Sequence, residues 1–215
     1  GELSFDMETG EITSFTGTLT HLELPEKING SYVRRIAACV FDDQTELTTV
    51  TLPESLFVLG NGVFQNCTAL RSIELPKRMQ SLGHSLFEGC TALQTVILPE
   101  GPKELPGYLL KNYESLNYVS IPEGVTFIGM EAFRGCKLLS RLVLPDSLTG
   151  IGNEAFGGCS SLETLVLPPH LEYFGEFCFA GCKSLTSVTI PASVRELAWF
   201  GFSNCTALEA VYLLG

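Results

Sequence analysis

The sequence predicts a stacked-repeat protein of the α/β class, in which each unit supplies one short strand and one compact turn. Three observations lead there. An apolar residue recurs at Leu52, Leu75, Leu98, Ile121, Leu144, Leu167, Ile190 and Leu213, a step of 23 residues every time, and a proline follows all but the last. Two further rows keep the same step: Leu70, Leu93, Leu116, Leu139, Leu162, Leu185 and Leu208, and Ile73, Val96, Val119, Leu142, Leu165, Val188 and Val211. Phe64, Phe87, Phe133, Phe156, Phe179 and Phe202 form a fourth row, with Leu110 in the remaining place. A step this constant marks a repeat architecture, because each unit must bury its rows against the same rows of its neighbours.

Within one unit the stretch Leu-x-x-Ile/Val/Leu-x-Leu reads as a strand whose inward residues alternate with outward ones. The proline then ends its ladder, so the strand is brief, about five or six residues. The segment from Ile151 to Cys159 is too short for a long helix. A helical or 3₁₀ turn is expected there, placing Ala155 and Phe156 in the core.

The run Leu-Pro-x-x-x-x-x-Ile/Leu-Gly-x-x-x-Phe-x-x-Cys-x-x-Leu-x-x-Val-x-Leu-Pro resembles the 23-residue repeat of the BspA-like surface proteins, over roughly residues 19 to 215. The resemblance implies a right-handed leucine-rich-repeat solenoid with a parallel β-sheet on one face and short helical or 3₁₀ turns opposite. It also implies a secreted or cell-surface protein of a bacterium or protist that binds host or neighbouring-cell proteins. It speaks more about fold than about ligand.

Taken in order, residues 1–18 read as a hairpin around Thr9-Gly10 that caps the first coil, and residues 19–215 as about eight coils of a longer protein. Gly1 opens the chain without a charged-then-apolar leader, which fits a removed signal peptide or an excised segment. The first coil carries five extra residues near Lys27 to Arg34, expected to bulge from the loop side with Asn29-Gly30-Ser31, Tyr32, Arg34 and Arg35. The unit from Leu98 to Tyr118 puts Pro102, Pro106, Gly107, Leu110 and Tyr113 at consensus positions, so irregular packing is expected there. Leu213-Leu214-Gly215 ends within a strand, leaving a coil that a following segment, a partner or another copy would cover.

Composition narrows the function classes. Hydrophobic residues make up 45% of the 215 and charged ones 17%, which suits a single elongated domain, and the net charge of −11 argues against nucleic acid and anionic membranes. No apolar run approaches the length of a membrane span. Cys67, Cys90, Cys136, Cys159, Cys182 and Cys205 share one position of the unit, Gln44 and Tyr113 replace them elsewhere, and Cys39 and Cys178 fall at small-residue positions of the turn. Parallel side chains in a ladder do not converge as a disulfide or a zinc site requires, so buried thiols are expected. His21, His84 and His170 lie at different positions of distant coils and build no catalytic group. No catalytic, cofactor or metal site is expected.

Outward strand positions carry mostly small hydroxyls and β-branched residues, which suit the sheet itself. Two groups depart from that background. Tyr118, Arg141, Val143 and Val166 place an aromatic, a cation and two apolar groups in adjacent coils. Tyr173, Phe177, Trp199 and Phe200 replace smaller or polar residues near the C-terminal edge. Tyr, Trp and Arg beside exposed apolar surface are the types that anchor interfaces, so a protein ligand is expected at these residues. The alternative is a spacer or self-associating stalk, joined through the uncapped C-terminal coil.

Overall fold

The computed structural model describes residues 1–214; Gly215, the last residue of the Leu213-Leu214-Gly215 end, lies outside the described residues. Two compact units, Gly1–Pro102 and Lys103–Gly215, divide the chain. Each is a right-handed stack of coils.

Every coil has three hydrogen-bonded sides. The first is the anticipated strand, but it runs for three or four residues instead of five or six. In the first unit His21–Glu23 pairs with Thr49–Thr51, and Ser72–Glu74 with Thr95–Ile97, all in parallel. In the second unit Tyr118–Ser120 pairs with Arg141–Val143, while Thr164–Val166, Ser187–Ile190 and Ala210–Leu213 form one parallel ladder. The central residue of the three-residue strands points inward, as the burial of Ile73, Val119 and Leu165 between exposed neighbours records.

The second side is also β. Arg35–Ile36, Val58–Leu59 and Ser81–Leu82 make a parallel ladder in the first unit. Glu104–Leu105, Phe127–Ile128, Gly150–Ile151 and Tyr173–Phe174 make its counterpart in the second.

The third side overturns an expectation. No helix, α or 3₁₀, occurs among the described residues, so the fold is mostly a β-solenoid and not an α/β repeat with helical turns. The reason lies in two backbone positions four residues apart. One holds Cys39, Gly62, Ser85, Tyr108, Glu131, Glu154, Phe177 and Phe200; the other holds Asp43, Asn66, Gly89, Asn112, Gly135, Gly158, Gly181 and Asn204. All have positive φ, between +50° and +80°. Left-handed residues at that spacing leave no room for a right-handed helical turn. The intervening amides point along the stack instead: the N–H groups of Glu154, Phe156 and Gly158 donate to the carbonyls of Glu176, Cys178 and Ala180 in the next coil at 2.8, 2.9 and 2.7 Å. Within the coil only single turns close, as in Gly157 N to Glu154 O at 3.0 Å and Cys159 N to Phe156 O at 3.2 Å.

The N-terminal strands Glu2–Asp6 and Glu11–Thr16 are antiparallel, and Glu11–Thr16 continues the second ladder by pairing in parallel with Arg35–Ile36. Gln44 stands where later coils have Cys. Its Oε1 accepts from Leu19 N at 2.9 Å and its Nε2 donates to Gly17 O at 3.1 Å, tying the segment after the hairpin to the first coil. The five-residue insertion folds as a small antiparallel hairpin, Lys27–Ile28 against Ser31–Tyr32. The unit from Leu98 to Tyr118, for which irregular packing was expected, keeps the common turn. Tyr108 and Asn112 take the two left-handed positions and Leu109, Leu110 and Tyr113 are buried.

A column of phenylalanines fills the core behind the turns. In the first unit Phe15 tilts onto Phe41, and Phe41, Phe64 and Phe87 stack at 5.9 and 6.1 Å between centroids. In the second Phe133, Phe156, Phe179 and Phe202 stack at 5.2, 5.6 and 5.5 Å, with their planes nearly parallel. Fully buried aromatics in such a column have no space to relax into. Phe156→Ala is therefore expected to destabilise the protein by about 3–5 kcal/mol in chemical denaturation, and a loss within experimental error would remove the column from the core.

Candidate protein-binding surfaces

Both residue groups singled out from the sequence lie in the second unit. On the sheet face, Tyr118 and Arg141 are direct register partners in neighbouring parallel strands, and Ser120 opposes Val143. The Arg141 guanidinium sits 5.7 Å from the centroid of the Tyr118 ring, a cation–π geometry in which each side chain orients the other. Tyr118 is 48% exposed, Val143 is exposed beside it, and Val166, at the equivalent strand position of the following coil, is 80% exposed. Val166 itself registers with Thr189, since Arg141–Val143 and Thr164–Val166 are not hydrogen-bonded to each other.

On the turn side, Phe177 and Phe200 stack at 5.1 Å with an interplanar angle of 12°, and Trp199, 75% exposed, leans on Phe200 at 6.3 Å. Phe177 and Phe200 occupy the first left-handed position, with φ of +54° and +56°. A bulky residue there costs roughly 1–3 kcal/mol, which the coil-to-coil hydrogen bonds must offset. Tyr173 does not join this cluster. It lies on the second ladder, where its ring reaches over Gly150 to Phe127 at 6.4 Å; a Cβ on Gly150 would meet the ring at 2.6 Å.

Sequence reasoning missed an ion-pair network beside the aromatic pair. Lys111 Nζ lies 2.6 Å from Glu131, and Arg134 bridges Glu131 at 3.0 Å and Glu154 at 2.9 Å. Burial alone would push the Glu131 carboxyl up; hydrogen bonds and charge from Lys111 and Arg134 outweigh it and hold the group below the usual carboxylate range. The available signal was diagonal: a basic residue near the end of one turn stands twenty positions before an acidic residue in the next coil, at Lys111/Glu131 and Arg134/Glu154. A shallow trough of about 490 Å³ borders the network, lined by Arg134, Glu154, Phe177 and Asn204 and by Gly158 and Gly181.

Stacked 23-residue coils with a parallel sheet along one side define a leucine-rich-repeat protein. The chain belongs to the BspA type leucine rich repeat region family, which matches residues 13–140 and 127–214. Among solved structures it is similar to a leucine-rich repeat protein from Eubacterium ventriosum, with 26% identity and a TM-score of 0.72, over 82% of this chain and 47% of that one. It is also similar to a leucine-rich repeat protein from Bacteroides ovatus, with 26% identity and a TM-score of 0.52, over 94% of this chain and 60% of that one. The pneumococcal vaccine antigen PcpA shares the fold at 24% identity and a TM-score of 0.59, over 84% of this chain and 54% of its own. The chain thus spans about half to three fifths of the length of these structures. No curated protein matches it in sequence.

The cysteine row belongs to the scaffold and to neither surface. All eight cysteines are thiols. In six of them Sγ lies against the carbonyl of the Phe (or Leu110) position in the preceding coil, from 3.0 Å for Cys90 on Phe64 to 3.5 Å for Cys182 on Phe156. Burial pushes the Cys136 and Cys182 thiols up to about 12 and Cys159 and Cys178 well above the ordinary thiol range. For Cys67 the hydrogen bond with Cys90 is the first cause of a rise, followed by burial. A raised thiol is neutral at ordinary pH and therefore a poor nucleophile. Cys39 is exposed and Cys205 half-buried; the other six are buried. Thiol titration of the native protein near pH 8 is expected to label Cys39 promptly and Cys205 more slowly, and all eight only after unfolding. Prompt labelling of any of the buried six would contradict this placement.

Proposed function

We propose that the chain is a non-enzymatic protein-binding module of a secreted or cell-surface protein, acting in adhesion to host or neighbouring-cell proteins. The observation that carries the reading is the Tyr118–Arg141 pair, held at 5.7 Å on a sheet face beside exposed Val143 and Val166. An aromatic and a guanidinium already oriented against each other lose little freedom on binding, and the bare valines supply the apolar surface around them. Phe177, Trp199 and Phe200 are the second candidate contact, and Tyr173 a separate aromatic on the second ladder. Membership of the BspA-type family supports an extracellular or cell-surface location. The ligand is a protein, because an acidic chain repels nucleic acid and anionic lipid; no helix among the described residues is long and apolar enough to cross a membrane.

This reading is tested by presenting the protein to an array of extracellular-matrix and plasma proteins on a biosensor. Replacing Tyr118 with Ala and Arg141 with Glu together is expected to weaken the binding found by about tenfold or more, as removal of an interface anchor does, with thermal stability unchanged. Equal affinity of the double variant would take the site off the sheet face.

A further inference from the structure

A second surface, in the first unit, departs from the repeat in both sequence and charge. Its centre is the hairpin that the first coil alone inserts. Asn29 and Gly30 turn the chain with φ of +50° and +87°, setting Lys27 opposite Tyr32 across the two short strands. Lys27 Nζ lies 4.2 Å from the centroid of the Tyr32 ring, and the Arg34 guanidinium lies 5.5 Å from the same ring and 5.6 Å from Phe57. One exposed tyrosine thus carries two cations, and a second ring, Phe57, backs one of them.

The platform is rigid. Val33 is fully buried, its N–H donates to Glu26 O at 3.0 Å, Arg34 N donates to Gly10 O at 2.9 Å, and Arg34 O accepts from Phe57 N at 2.8 Å. Among the described residues neither Lys27 nor Arg34 meets a carboxylate; the ion pair of this unit joins Arg35 to Glu11. Glu26, next in sequence to Lys27, turns its carboxylate to the following coil, where it accepts from the N–H groups of Glu54 at 2.8 Å and Ser55 at 3.2 Å. Two cations therefore lie on an aromatic face without counter-charge, in a chain whose net charge is −11.

We propose that this hairpin is a docking site for a short acidic segment of a partner protein, with carboxylates meeting Lys27 and Arg34 and an apolar or aromatic side chain resting against Tyr32. Charge complementarity selects the class of partner. A guanidinium stacked on aromatic rings keeps its outer N–H fork available for a carboxylate. A long polyanion such as a sulfated polysaccharide needs an extended basic track, whereas here the cations are few and acidic residues outnumber basic ones throughout the unit. A segment of one or two carboxylates gains the local attraction and avoids most of the surrounding repulsion. The site is separate from the sheet face of the second unit, and neither depends on the other.

The test uses the full chain and a fluorescein-labelled octapeptide in which two glutamates flank one tyrosine and the other positions are Gly and Ser, followed by fluorescence polarisation at low ionic strength. Saturable binding is expected, weakened about tenfold by Arg34→Glu and by Lys27→Glu, several-fold by Tyr32→Ala, and by added salt. Lys77 and Arg78 form another basic pair in the same unit, and Lys77→Glu is expected to leave binding unaltered; circular dichroism melting checks that every variant folds. Absence of saturable binding overturns the proposal, as does equal binding by Arg34→Glu or Lys27→Glu, or an equal loss in Lys77→Glu. A heparin hexasaccharide that binds the same residues more tightly than the peptide overturns it as well, by assigning the site to a polyanionic sugar.

Discussion

Backbone hydrogen bonding between coils is the constraint on which the rest of this structure depends. A chain that turns every few residues cannot satisfy its buried amides locally, and an unpaired buried amide costs about 1–3 kcal/mol. Here amides on the sides of the coil point along the stack and find carbonyls in a neighbouring repeat: those of the turn donate to the following coil, at 2.7–2.9 Å in the Leu144 coil, while Gly152 N on the second ladder donates back to Ile128 O at 2.7 Å. Such pairing works only if each coil has the same length as its neighbour, which accounts for the unvarying step of 23 residues. Where the first coil is longer, the surplus leaves the stack as a closed hairpin, and the register of His21–Glu23 with Thr49–Thr51 is preserved.

The same constraint explains the choice of core residues. Backbones held in register bring identical rows into contact, so phenylalanines stack with nearly parallel planes and cysteine thiols meet the carbonyls of the Phe row. A thiol suits that place because it is small, tolerates burial and still offers a weak donor. Gln44 opens the row because its partners are the backbone of Gly17 and Leu19. Outward positions carry no such demand. They are where the chain differs from coil to coil, in the Tyr118–Arg141 pair, the Phe177–Phe200 stack and the Lys27–Tyr32–Arg34 cluster. A regular interior therefore holds individual side chains at fixed spacing on its outside, which suits binding more than catalysis.

Much of the first ladder was legible in the sequence, because alternation around Leu142 or Leu165 and a following proline describe a short strand directly. The turn side was misread for a physical reason. The sequence between Ile151 and Cys159 has the density of a tight helical turn, but helicity depends on backbone sign. One sign was visible: Asp43, Asn66, Gly89, Asn112, Gly135, Gly158, Gly181 and Asn204 are all residue types that tolerate positive φ. The other was hidden, since Glu131, Glu154, Phe177 and Phe200 have no such preference and are left-handed only because the stack holds them. The aromatic stack at Phe177 and Phe200 could be anticipated from spacing alone, whereas the separation of Tyr173 from it follows from Gly150, whose missing side chain lets the Tyr173 ring fold over toward Phe127.

The most direct test of the account compares two internal deletions in chemical denaturation. Removing residues 144–166 takes out one whole coil and joins Val143 to Leu167 in unchanged register, while removing residues 147–166 breaks the step. The account predicts that the first variant keeps a cooperative transition close to that of the parent and that the second loses it. Equal behaviour of the two would contradict the claim that pairing between coils of fixed length holds this fold together.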